Sequence, residues 1–225
     1  MTPPHATDRL TSLASTALAL KVAAPALLHS IRGSLHDATM LAALLQPGAT
    51  GTPPDAAKSA QRLRLIGDQI QLLERDVALL AGFIEGPRRD AGAVCASSGA
   101  LAHVLRLLKD EAARRRLRFE YDVDALPPHV CASEHAFQQA MLACGAWLAQ
   151  HAGERATMSV RGCDEAGEAV LDFDAAGATP AADSENGEDL ALLAALVDAA
   201  GGRLATTPRL RVAFPRADRG AATPA

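Results

Sequence analysis

Hydrophobic residues recur at helical spacing along two long stretches, residues 8–46 and residues 56–85. The inward stripe of the first stretch is Ala24, Leu27, Ile31, Ser34, Ala38, Leu41 and Leu45, widened by Leu28, Leu35 and Ala42. The stripe of the second stretch is Leu63, Ile66, Ile70, Leu73, Val77, Leu80 and Ile84. Steps of three and four residues put each set on one side of a helix. The pattern therefore predicts two amphipathic helices.

The residues between and around these stretches predict where the helices end. Residues 46–54 are rich in proline and glycine, Asp55 can cap the second helix, and Gly86 with Pro87 can stop it. Pro25 lacks an N–H and is expected to kink or restart the first helix. The prediction is a helical hairpin over residues 8–86, preceded by a loose tail over residues 1–7.

From residue 93 onward, helical stretches alternate with stretches of period two, which predicts an α/β unit over residues 93–215. The predicted helices pass through residues 101–108, 133–151 and 189–200. The predicted strands are residues 117–123, 157–161, 168–173, 203–205 and 210–214. Residues 216–225 are expected to be unstructured. The fold class predicted for the whole chain is α+β, a hairpin followed by an α/β sandwich.

A two-helix hairpin leaves one apolar side uncovered, because each stripe is wider than the contact between the two helices. A second copy of the chain can cover it by forming a symmetric four-helix bundle. The alternative is a bundle within one chain. The change of pattern after residue 93 favours the homodimer.

The polar side of the first helix carries two histidines, His29 and His36, seven residues apart on nearly one line. Arg32, Gly33 and Met40 belong to the same line. The faces of the second helix outside its apolar stripe carry charged residues, which are Arg62, Arg64, Asp68, Glu74, Arg75 and Asp76. A histidine displayed on a helix surface can act as a nucleophile toward a partner protein.

Composition excludes several classes of function. The chain of 225 residues is 49% apolar, which is enough for a sizeable core, and its net charge of −4 gives no basic surface for nucleic acid. Aromatic residues make up only 3%, too few for base-stacking platforms. The four cysteines and the other histidines share no metal-ligand spacing, so no metal site is expected. The cysteines are expected to be reduced thiols. Lys21 and Pro25 interrupt the first apolar stretch, and the start lacks a signal-peptide pattern, which predicts a cytoplasmic protein without a membrane span.

The segment His29-Ser30-Ile31-Arg32-Gly33-Ser34-Leu35 resembles the H-box of two-component histidine kinases, in which the phosphoacceptor histidine precedes an acid, Leu, Arg, a small polar residue, Pro and Leu. It is also similar to the corresponding segment of ChpT-type histidine phosphotransferases, which do not use ATP. Ser30 replaces the acid, and Ser34 replaces the proline. The resemblance implies that His29 is the phosphoacceptor.

Most of residues 93–215 resemble the ATP-binding domain of histidine kinases. The order helix, strand, helix, strand, strand, helix, strand, strand carries this resemblance, together with the segments 124–130 and 190–202. It implies a nucleotide site whose essential residues are replaced. Ala143 and Trp147 stand where Mg²⁺-binding asparagines are expected, and Trp147 fits core packing better.

Four further positions belong to the nucleotide site that the resemblance implies. Asp174 could be the acid that reads adenine, but Ala176 and Ala178 replace the following glycines, and Asp189 replaces a glycine of the next motif. The carboxylate of Asp189 at this glycine position would repel phosphate. The sequence therefore predicts no ATP binding and no cofactor.

The two resemblances together predict a histidine phosphotransferase that relays phosphoryl groups between receiver domains through His29. Its expected partners are response regulator receiver domains and a hybrid histidine kinase, with Arg32, Gly33, His36 and Met40 as docking residues. His36, followed by Asp37, is the alternative phosphoacceptor. A pseudokinase scaffold that binds a response regulator or a kinase without being phosphorylated is the alternative function.

Overall fold

Two long helices form the N-terminal part of the chain in a computed structural model that describes residues 6–46, 55–86, 90, 92–176, 184–206 and 209–217. They are α1 (Ala6–Ala43) and α2 (Ala56–Glu85). The Asp55 carboxylate accepts a hydrogen bond of 2.8 Å from the Ala57 N–H and so caps α2. Gly86 ends α2 at a φ of 79°, a value that glycine adopts without a side-chain clash. The predicted hairpin and the bounds of its second helix are confirmed.

The sequence predicted that Pro25 would kink or restart the first helix, and a restart does not occur, because α1 continues through this residue as one helix. Pro25 cannot donate to the carbonyl of Lys21 one turn earlier. Both residues are exposed, so that this carbonyl lies on the side of α1 that water reaches. Solvation of the freed carbonyl explains why the helix tolerates proline here.

The second part of the chain alternates helices and strands. Its helices are α3 (Ser97–Arg114), α4 (Glu134–His151) and α5 (Ser184–Ala199). Its strands are β1 (Cys95–Ala96), β2 (Arg118–Asp122), β3 (His129–Val130), β4 (Thr157–Glu165), β5 (Glu168–Ala175), β6 (Arg203–Ala205) and β7 (Leu210–Pro215). This order confirms the predicted α+β fold. The short strands β1 and β3, which form a separate antiparallel pair, were not predicted.

Within the described residues, the main sheet has five strands in the order β2-β4-β5-β7-β6. β2 runs parallel to β4, with Phe119 opposite Met158, and the other pairs are antiparallel. Helices α3, α4 and α5 pack against this sheet. The rings of Phe137 on α4 and Phe214 on β7 meet edge to face at 5.1 Å, which illustrates the packing of helix on sheet.

The hairpin and the α/β unit share one hydrophobic core. The hairpin contributes Leu18, Ala19, Val22, Ala23, Leu27, Leu79 and Phe83 to the same buried cluster as the sheet and helices α3–α5. α1 packs on α3, α4 and α5, and Gln150 of α4 donates a hydrogen bond of 3.3 Å to the carbonyl of Val22. By length and composition, the Leu10–Ala43 part of α1 could also span a membrane, but a buried core helix passes the same test.

Much of the predicted apolar stripe of the hairpin remains exposed in a single chain. Leu63, Ile70, Val77 and Ile84, each seven residues from the next on α2, are 46–68% exposed. Leu28 and Leu35 of α1 are also exposed. The buried side chains of α2 are instead Asp76, Leu79 and Phe83. The side of α2 that faces the α/β unit therefore differs from the side that the sequence pattern marked as most apolar, whereas Leu27 and Ser34 of the predicted stripe of α1 are buried.

Candidate functional site

His29 lies in the middle of α1, and its side chain is exposed. Its helical neighbours Arg32, Gly33, His36 and Met40 are exposed as well, which leaves a continuous line about three turns long open to a partner. Among the residues that the structure describes, no heavy atom outside α1's own local backbone lies within 4 Å of the position that a Cβ on Gly33 would occupy. A partner can therefore approach the backbone of α1 closely at this point.

The two serines next to this line point the other way. Ser30 and Ser34 are only 6% exposed. Successive residues of a helix are turned by about 100°, so neighbours in sequence can differ completely in burial. Ser30 Oγ accepts a hydrogen bond of 2.8 Å from Nη1 of Arg106 on α3. The position that holds the acid in the H-box thus faces the α/β unit in this chain.

The same arginine also binds a buried carboxylate from the hairpin. Arg106 Nη2 lies 2.8 Å from Oδ1 of Asp76, whose side chain is fully buried, and Nε2 of His103 lies 3.2 Å from the same oxygen. The sequence pattern put Asp76 outside the apolar stripe of α2, and it gave no indication that this carboxylate is buried. Asp76 can be buried because Arg106 supplies a compensating charge.

Sequence reasoning missed Arg106 and His103 as functional candidates. Arg106 is 76 positions from Ser30 and 30 positions from Asp76. No local pattern connects residues that far apart. The only signal in the sequence was the presence of cations on α3, and this does not identify a partner.

The residues at the predicted nucleotide site lie in the core or take part in other contacts. Ala143 and Trp147 are fully buried, and every residue of α4 from Ala136 to Ala149 is buried. The Trp147 indole N–H donates to Oδ2 of Asp189 at 3.4 Å, and its ring stacks on His151 with centroids 4.1 Å apart. Asp189 therefore binds an indole here and is partly buried, at the position where an acid was expected to repel phosphate.

The remaining predicted positions of this site are less enclosed. Asp174 and Ala176 are exposed near the end of β5, and Ala178 lies outside the described residues. The structure brings Trp147 and Asp189 together, but the two positions at which Mg²⁺ ligands were expected, Ala143 and Trp147, present a methyl group and an indole. Neither side chain offers the oxygen ligands that Mg²⁺ requires. These residues do not fit a bound Mg-ATP.

Three of the four cysteines, Cys95, Cys144 and Cys163, are poorly suited to act as an alternative nucleophile, whereas the fourth, Cys131, is exposed. Burial raises the pKa of the Cys144 thiol on α4 to about 12, and burial beside Glu134 raises the pKa of Cys95 to about 12. Desolvation is also the largest cause of the raised pKa of Cys163. A thiol whose pKa is raised in this way stays protonated at neutral pH, so it is a poor nucleophile. The exposed imidazoles of α1 are better placed for group transfer.

No protein-family model matches the chain, and no curated protein matches it. Several solved structures of histidine kinases do. The Acinetobacter baumannii histidine kinase AdeS is 14% identical with a TM-score of 0.45, over 85% of this chain and 98% of that one. The catalytic domain of histidine kinase ThkA is 14% identical with a TM-score of 0.44, over 55% of this chain and 96% of that one. The mycobacterial sensor histidine kinase MprB is 18% identical with a TM-score of 0.43, over 56% of this chain and 99% of that one. At such identities and TM-scores, no residue role, ligand or partner carries over from these kinases to this chain.

Proposed function

We propose that this chain is a cytoplasmic histidine phosphotransferase that relays phosphoryl groups between receiver domains of two-component signalling proteins through His29, without binding ATP. The observation that carries the proposal is a contrast between two helices. His29 and the exposed residues that follow it along α1 are open to a partner. The positions of α4 at which a nucleotide site was predicted are buried, and their side chains offer no oxygen to bind Mg²⁺. Nucleic acid and membrane are not among the proposed partners.

The proposed reaction requires from this chain only a correctly positioned histidine ring. A neutral ring nitrogen of His29 attacks the phosphorus of a phospho-aspartate on a receiver domain, the P–O bond breaks, and the aspartate leaves as a carboxylate. The new N–P bond is broken in turn when the carboxylate of a second receiver domain attacks the phosphorus. The helix must present the ring in line with the breaking bond and hold it there.

The partner's contact surface in this proposal is the exposed line of Arg32, Gly33, His36 and Met40. Arg32 offers a positive charge one turn from His29, and Met40 adds an apolar side chain that is 53% exposed. A receiver domain has an acidic pocket around its aspartate, so a cation beside the acceptor histidine is complementary to it. A hybrid histidine kinase would dock through its own receiver domain.

The proposal includes a homodimer. The exposed heptad line of Leu63, Ile70, Val77 and Ile84 on α2 supports it, because a seven-residue apolar repeat is typical of a helix that packs along another helix. Two hairpins that bury these lines against each other form a four-helix bundle. His29 stays on the outside of such a bundle.

A specific observation favours the second candidate function, a scaffold that binds a response regulator or kinase without accepting phosphate. No carboxylate adjoins His29 at position 30, since Ser30 is there and its hydroxyl is already bound by Arg106. The ring of His29 therefore lacks a neighbouring base in the H-box position. A scaffold would use the same exposed line of α1 for binding alone.

Radiolabel transfer decides between these functions. A receiver domain carrying labelled phospho-aspartate is mixed with the purified protein, and acid-labile, alkali-stable label on the chain is measured. Label that is lost in His29→Ala and kept in His36→Ala supports the relay through His29. Label that is lost only in His36→Ala assigns the reaction to His36. Binding without label on any variant supports the scaffold.

A further inference from the structure

A buried polar cluster joins three helices directly beside His29. We call Ser30 of α1, Asp76 of α2 and Arg106 of α3 the Arg106 bridge. One guanidinium nitrogen of Arg106 donates to Ser30 Oγ at 2.8 Å, and the other donates to Asp76 Oδ1 at 2.8 Å. A single side chain of the α/β unit thus binds both helices of the hairpin.

The chemistry of this cluster requires an arginine. Asp76 is fully buried, so its charge needs a partner within contact distance, and the Arg106 side chain, 30% exposed, supplies it. Only a planar guanidinium can direct two N–H groups at two separate acceptors in this way, whereas a lysine ammonium is a single point charge on a flexible chain. His103 Nε2, 3.2 Å from Asp76 Oδ1, lies on the same carboxylate.

The location of the bridge links it to the phosphoacceptor. Ser30 is covalently next to His29 and lies where α1 leaves the shared core. Before this point α1 is fixed by buried residues such as Val22 and Leu27, and beyond Ser34 the described residues of α1 are exposed or half-buried. The bridge therefore holds α1 at the start of its exposed part.

We propose that Arg106 is a positioning residue for His29, which it holds in place by fixing the adjacent Ser30 against α2 and α3. In this arrangement the α/β unit braces the phosphoacceptor helix, a role that needs no nucleotide. The proposal rests on the proposed function as far as phosphotransfer is concerned. Its structural part, that the bridge holds residues 28–36 of α1 in place, can be tested separately.

Three changes weaken the bridge in different ways. Ser30→Ala removes one acceptor and leaves the Arg106–Asp76 ion pair. Arg106→Lys keeps a positive charge for Asp76 but cannot also reach Ser30. The double change Arg106→Met with Asp76→Leu removes both charges, so that no unpaired carboxylate is left to unfold the chain. Lys109→Met removes an exposed cation from the same helix without touching the bridge and serves as the control.

Two measurements are made on each full-length variant. Hydrogen exchange of backbone amides reports whether α1 loosens locally, and single-turnover transfer from a phosphorylated receiver domain gives a saturating rate and a half-saturating concentration. We expect exchange in residues 28–36 to rise about tenfold in all three variants, with α4 unchanged, because the bridge acts locally. We expect the saturating rate to fall about tenfold and the half-saturating concentration to change less than about twofold, since misplacing a reacting group affects the chemical step more than docking.

Other outcomes overturn the proposal. Unchanged exchange in α1 shows that the bridge does not hold the helix, and exchange that rises equally in α4 shows that it only stabilises the fold as a whole. A change in the half-saturating concentration alone assigns Arg106 to docking. If the unmodified protein accepts no labelled phosphate from a receiver domain, the proposed phosphotransfer is wrong. The hydrogen-exchange measurement then still decides whether the bridge holds α1.

Discussion

Helices α1 and α4 lie in different environments, since α1 is partly exposed to solvent and the central part of α4 is buried. This difference determines which helix can contact another protein. The central part of α4 is enclosed by the sheet, by neighbouring helices and by α1, so the positions predicted from the sequence to form a nucleotide site are core positions. α1 is buried only on one side, and its second half presents His29 to solvent. A group must be reachable to exchange phosphate with another protein. We therefore place the proposed phosphotransfer on the hairpin and not on α4.

The largest expected effect is on stability, in a direct contrast between Trp147 and His29. Trp147→Ala should destabilise the protein by about 3–5 kcal/mol, because it removes a fully buried indole and leaves a cavity. His29→Ala should change stability by less than about 0.5 kcal/mol, as expected for an exposed side chain without a structural role. Denaturant unfolding followed by circular dichroism measures both. A loss below about 1 kcal/mol for Trp147→Ala would show that α4 is not the tightly packed core described above.

The second prediction concerns the exposed side of α2. Ile70→Glu should weaken dimerisation by about a hundredfold, roughly 2.7 kcal/mol, because a carboxylate without a partner would be buried in the bundle. Leu35→Glu tests the corresponding side of α1 in the same way. Gln71→Glu, one residue further on α2, adds the same charge at a polar position and is the control. Light scattering over a range of concentrations measures the effect, and an unmodified protein that is monomeric at every concentration would rule out the dimer.

The third prediction compares two helical glycines. A Cβ on Gly145 of α4 would come within 2.5 Å of a methyl carbon of Leu108, while a Cβ on Gly33 of α1 meets nothing within 4 Å in the described part of the chain. Gly145→Ala should therefore cost about 1–3 kcal/mol through overpacking. Gly33→Ala should stabilise the chain by up to about 1 kcal/mol, because alanine favours the helix. Thermal unfolding of the two variants measures these opposite signs, and equal shifts would contradict the contrast between the helices.

Most of the fold could be predicted from the sequence, because long elements carry strong periodic signals. α2 begins and ends where Asp55, Gly86 and the apolar pattern predicted. The order of the long helices and main strands was also recovered. Strands β1 and β3 have two residues each, too few to show any period. α5 begins five residues before the predicted start, since its first turn lacks an apolar pattern.

The candidate site was less predictable, and the reason is physical. The outward side of α1 follows from helical geometry, so the exposure of His29 and His36 could be anticipated from spacing alone. The burial of Asp76 depends on Arg106, and the burial of Ser30 depends on α3 lying across the hairpin. Such contacts are set by tertiary packing between distant segments. No periodicity within either segment records them.

The fourth prediction tests the exposed line on α1 as a docking surface. Gly33→Arg should weaken receiver binding by about tenfold or more, because a long side chain would block close approach to the backbone. It should not unfold the chain, since arginine is the better helix former and the space around Gly33 is open. Gly99→Arg on α3, another helical glycine with open space, is the control. Titration against a panel of receiver domains measures binding, and normal binding by Gly33→Arg to every partner found would rule out this surface.

The last prediction is that the protein has no measurable affinity for ATP. The positions that would bind Mg²⁺ are Ala143 and Trp147, both fully buried and without oxygen ligands. The indole of Trp147 is also bound to Asp189, so a nucleotide would have to break this contact and open the core around α4. Calorimetry with Mg-ATP should give no heat of binding, and Mg-ATP should not raise the unfolding temperature, since a ligand that binds only the folded state would do so. A micromolar dissociation constant would show that α4 opens after all, and a kinase reaction would then replace the relay as the first candidate function.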